Sequence, residues 1–138
     1  MSATHKNKTF ATWTALLGGA AGIHRIYLRG AGDRLALAHY AGVAGTLALM
    51  AAAPGANVFW KLLPLTVSAI AGFIEALVIG VMPDEKFDAR YNGGSGRASD
   101  SGPLLALGLV ATLLVGATVV IATMARLFDL LYTGGAYG

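Results

Sequence analysis

Apolar residues fall into four blocks along the chain, separated by short polar breaks. The blocks cover residues 9–28, 35–53, 58–82 and 103–126. A helix needs about 20 apolar residues to cross the hydrocarbon of a bilayer, and this pattern predicts four such helices. The first block is short: its apolar part ends near Ile23 and reaches full length only if His24 to Leu28 continue the helix. Trp13, Gly18 and Gly19 interrupt it, unlike the apolar core of a cleaved leader, so it reads as a retained first helix. The breaks carry turn chemistry. Gly30, Gly32 and Asp33 mark the first, Pro54 and Gly55 the second, and Pro83 ends the third block. Asn92 to Gly96 reads as a flexible connector. Ser101 is the expected N-cap of the last helix, with Pro103 in its first turn. Pro64 would kink the third helix or mark its true start.

Composition agrees with lipid as the solvent. Of the 138 residues, 56% are hydrophobic and only 12% charged, too few charges to coat a soluble domain. The chain lacks cysteine, which excludes disulfides and thiolate chemistry. The net charge of +3 comes from Lys and Arg residues lying mostly between the apolar blocks, a pattern of headgroup contact rather than nucleic-acid binding. Assigned to the ends of four spans, Lys6, Lys8, Lys61 and Arg126 fall on one face; Arg25, Arg29, Arg34, Lys86, Arg90 and Arg97 fall on the other. That assignment places the first and third loops in the cytoplasm and both termini outside. Aromatic belts follow it, with Phe10, Trp13, Phe59, Trp60, Phe128 and Tyr132 at one interface and Tyr27, Phe87 and Tyr91 at the other.

Small residues recur at a spacing of four: Gly18 and Gly22, Ala38 and Gly42, Ala41 and Gly45, Gly72, Ala76 and Gly80, then Gly108, Thr112 and Gly116. Such stripes let helices approach closely in lipid. The polar residues inside the blocks are more telling, because a charge near the bilayer centre costs about 2.5–3.5 kcal/mol on insertion scales. Glu75 lies about 10 Å below the end of its block by helical rise. His24, Arg25 and His39 reach the same half of the bilayer. An Arg25–Glu75 ion pair tying the first helix to the third is the leading expectation. A proton or ion path through Glu75 and His39, and a haem held between His24 and His39, are the alternatives. Arg126 and Asp129 read as interfacial anchors, and Phe87 and Tyr91 as headgroup contacts on a short amphipathic cap.

One stretch resembles a known family. Lys6 to Trp13, then Ala15 to Gly19, then Gly22-Ile23-His24-Arg25-Ile26-Tyr27-Leu28, are similar to the start of the TM2 domain family, whose mark is a glycine-rich helix running into Gly-x-His-Arg-Phe-Tyr-Leu-Gly. Ile26 stands where that family has Phe, and Arg29 precedes Gly30. Phe73-Ile74-Glu75 resembles the family's acid near the end of its second helix, and Pro83 to Asn92 a tail found in longer members. The resemblance covers residues 6–92 and implies that the motif lies in a turn between membrane helices. It implies no enzymatic activity. The chain is therefore expected to be an all-α bundle of four spans: a three-span domain over 1–92, a Gly/Ser linker over 93–102, and an added helix and tail over 103–138. The expected role is a non-enzymatic accessory or assembly subunit of a bacterial inner membrane, needing no cofactor and contacting lipids, other membrane proteins or its own copies.

Overall fold

The computed structural model describes residues 4–137 and is all-helical, with no strand among the described residues. Three helices are long and apolar enough to cross a membrane: α3 (Arg34–Ala52), α4 (Val58–Val81) and α6 (Pro103–Thr133). The first block does not form a fourth. It divides into α1 (Lys8–Gly18), a single 3-10 turn over Gly19–Ala21, and α2 (Ile23–Arg29). The reversal is made at Gly22, whose φ of 69° suits glycine and strains any residue with a Cβ. The chain then runs back on itself. The Tyr27 ring meets Phe10 edge-on at 4.9 Å, and its hydroxyl accepts from the Asn7 amide at 2.7 Å. Residues 8–29 are thus a helical hairpin whose two ends lie together, not a span.

The hairpin moves the N-terminus to the other end of the molecule. Lys8 is buried, donating to the Met82 carbonyl and, at 2.8 Å, to Asp84. The Lys6 amide donates to Asn92 Oδ1 at 2.6 Å, and Asn92 Nδ2 returns a bond to the Lys6 carbonyl at 3.0 Å. Phe10 and Trp13 consequently lie toward the end that carries Tyr27 and Tyr91, not beside Phe59 and Trp60. Trp13 donates its indole N–H to the carbonyl of Leu104, near the start of α6.

Close packing follows glycine. Gly19 in the hairpin turn faces Gly72 in α4 backbone to backbone; a Cβ on Gly72 would stand 2.7 Å from Gly19. Gly42 admits Ser68 and the Pro64 carbonyl of α4, and Gly45 the Pro64 ring. Gly80 takes Leu109, Gly116 takes Phe73, Gly108 takes the Trp13 ring, and Gly18 takes Ile23 of its own hairpin. Gly22, expected on a packing stripe, is the turn itself. Pro64 lies inside α4, and Thr46 Oγ1 of α3 accepts the Leu65 amide at 3.0 Å, so the disturbed turn keeps a partner.

A short helix, α5 (Asp84–Tyr91), lies across the ends of the hairpin and α4. Phe87, expected at the headgroups, is instead fully buried with Ala11, Leu28 and Ile79. The connector to α6 is fixed to α5. Asp88 accepts the Ser99 amide at 2.6 Å and its hydroxyl; Asp84 accepts the Ser101 amide at 2.9 Å and its hydroxyl. Ser101 is therefore spent on Asp84, and Gly102 rather than Ser101 is the residue before α6. The last helix also runs past residue 126, because Arg126 pairs with Asp129 one turn on and Gly134 closes the end with φ 68°.

Candidate functional site

Four ionisable side chains meet where the hairpin, α3 and α4 converge. Gly22 starts α2 so that His24 and Arg25, in its first turn, point at α4. Arg25 grips Glu75 with two bonds: Nε to Oε2 and Nη2 to Oε1, both at 2.7 Å. His24 Nε2 also contacts Oε2. His39 Nε2 approaches the same oxygen at 3.7 Å. The residues expected to converge do so, and the guanidinium–carboxylate fork is the bidentate geometry that gives such pairs their strength. Asp33, which caps α3 by accepting from the Leu35 and Ala36 amides, adds a second acid 3.8 Å from Arg25.

Proton positions follow from counting donors. The single hydrogen of Ser68 goes to the Ala20 carbonyl at 2.7 Å. Ser68 Oγ must then accept from His39 Nδ1, 2.7 Å away. His39 therefore carries its proton on Nδ1 and turns Nε2 toward Glu75. Glu75, held by Arg25, is an acceptor, so His24 donates to it from Nε2. That leaves His24 Nδ1 buried without a partner. Ser68 and the Ala20 carbonyl were not foreseen as parts of the site; Ser68 lies two turns before Glu75 on the same face of α4.

His24, His39 and Glu75 each offer a ligand atom, all within 4.8 Å of one another. To hold a metal, His24 and Glu75 would have to give up their direct contact, and Glu75 would have to share its oxygens with Arg25. A bis-histidine haem fits less well. The two imidazoles stand in edge contact, ring centres 5.6 Å apart, and both Nε2 atoms face one carboxylate rather than the two faces of a macrocycle. What the arrangement does directly is tie α2 to α4 through the Glu75 carboxylate and α3 to α4 through His39 and Ser68.

Fold and cluster together define an all-helical protein built for a membrane, with a charged brace between a helical hairpin and a long apolar helix. No protein-family model, no curated protein and no solved structure matches the chain.

Proposed function

We propose that the protein is a non-enzymatic membrane subunit with three spans and one re-entrant hairpin, and that it works by packing against other membrane proteins. The observation that carries this reading is the uneven cover of α6. Its buried residues are Leu105, Gly108, Thr112 and Gly116, all in the half that faces α4 and the hairpin. From residue 117 to 133 the helix has no buried residue, and Val120, Ile121, Met124, Phe128 and Leu131 are exposed. A helix half with so little cover from its own chain is free to pack against another.

The cluster is the internal brace of this device. Its hydrogen-bond chain starts at His39, whose Nε2 stops 3.7 Å short of Glu75, and passes through Ser68 to the Ala20 carbonyl, a backbone acceptor that cannot pass a proton on. That favours bracing over conduction. The Gly22-to-Leu28 motif supports placing the chain beside the TM2 domain family, in a bacterial inner membrane.

Purification from native membrane in a mild detergent tests the reading. A stoichiometric membrane partner, or a defined assembly of the chain with itself, is expected, and Ala122→Trp on the uncovered half of α6 is expected to release it. A wild-type chain that runs alone as a monomer overturns the proposal, as does an assembly indifferent to Ala122→Trp.

A further inference from the structure

Beside the brace, a cleft of about 150 Å³ opens between α2, the end of α4 and α5. Its floor is the closed Arg25–Glu75 pair. Its walls are apolar: Leu28, Val78, Ile79 and Met82. Its mouth is basic and aromatic. Arg90 and Tyr91 line it, and the guanidinium groups of Arg29 and Arg90 lie 5.6 and 5.7 Å from the centre of the Tyr91 ring. Both arginines are exposed. Among the described residues, no carboxylate lies within ion-pair distance of either. Two cations held over one aromatic ring repel each other unless an anion joins them. Below them the wall continues along Val78 and Ile74, 52% and 57% exposed on the outer face of α4.

We propose that this cleft binds an anionic phospholipid, its phosphate bridging Arg29 and Arg90 and the top of an acyl chain lying along Val78. The charge of the mouth selects the anion. The apolar wall selects a lipid over a free anion, since a soluble phosphate would leave Val78 uncovered. Glu75 cannot compete for the two arginines, because Arg25 holds both its oxygens. The inference rests on the membrane reading above. That reading has its own test in thiol labelling, described below, so the two can fail separately.

Native mass spectrometry of the purified full chain in a neutral detergent tests the site, with dioleoylphosphatidylglycerol, dioleoylphosphatidylcholine and inorganic phosphate as probes. One phosphatidylglycerol is expected to bind in clear preference to phosphatidylcholine. Each arginine near an anionic headgroup contributes about a factor of five, so Arg29→Ala with Arg90→Ala is expected to weaken that binding by roughly thirty-fold. Val78→Phe fills the wall without touching a charge and is expected to weaken phosphatidylglycerol as well. Equal binding of the two lipids overturns the proposal. So does a double variant that binds like wild type, or displacement of the lipid by equimolar inorganic phosphate, which would make the site one for free anions. If Val78→Phe leaves the lipid in place, the acyl wall is wrong and the cleft is not a lipid site.

Discussion

Glu75 is the one carboxylate toward which Arg25, His24 and His39 all turn, and removing it takes the bonding partner of both Arg25 and His24. Buried polar groups left without partners cost about 1–3 kcal/mol each. Arg25→Ala and Glu75→Ala are each expected to lower the thermal midpoint in detergent. The double variant should cost less than the sum, with a coupling on the order of 0.5–3 kcal/mol. Strict additivity would refute the brace. Ser68→Ala takes a donor from Ala20 and an acceptor from His39, and a measurable loss of stability is expected though no charge changes. At this scale much was legible. The cost of an acid in an apolar run points to Glu75, and depth along the helices points to Arg25, His24 and His39. Ser68 was not legible, because a lone hydroxyl in a membrane helix is ordinary until its neighbours are known.

Among elements, the polar cap is where chemistry responds to pH. Hydrogen bonds from Ser99 and Asn92 hold the Asp88 carboxyl down at about 2. The bond from Lys8, and then those from Ser101, lower Asp84. Both acids are depressed on folding, so the stability they lend is present above the ordinary carboxylate range and is lost as pH falls through the folded values. Amide exchange gives the readout. The Ser99 and Ser101 amides are expected to be protected at neutral pH and to lose protection on acidification from about pH 4 toward 2. Asp88→Asn should expose Ser99 at every pH. The expected linker over residues 93–102 is thus pinned to α5 at Ser99 and Ser101, and Ser95 also bonds His5 at 3.2 Å. Nothing in its Gly/Ser composition shows this, because the partners lie on a helix whose own role depends on the hairpin. The hairpin was hidden for a similar reason. Hydropathy sees residues 9–28 as one apolar run and cannot register a reversal made by one glycine. The three long helices and their glycine contacts were readable because length and spacing alone specify them.

For the whole molecule, the hairpin redistributes charge. With the N-terminus at the α5 end, Lys6, Lys8, Arg25, Arg29, Arg34, Lys86, Arg90 and Arg97 share one face, which leaves only Lys61 and Arg126 of the ten basic residues at the other. The six-against-four split expected for four spans becomes eight against two, and on the membrane reading proposed above it favours an α5 face in the cytoplasm. The expected outcome is that Thr4 lies inside and Ala136 outside. The chain has no cysteine, so single substitutions report cleanly. An impermeant thiol reagent on intact cells is expected to label Ala56→Cys and Ala136→Cys, and to reach Thr4→Cys and Ala98→Cys only after permeabilisation. Labelling at Thr4→Cys in intact cells would restore a fourth span.

The turn at Gly22 also sets an order of events during synthesis. The hairpin is made before α4, and Arg25 finds Glu75 only 50 residues later. On the membrane reading proposed above, a hairpin too short to cross and carrying charges it cannot yet neutralise would wait at the membrane surface while α3 and α4 insert. Only then can Gly19 seat against Gly72. A chain stalled before α4 would hold Arg25 without its carboxylate and Gly19 without its seat.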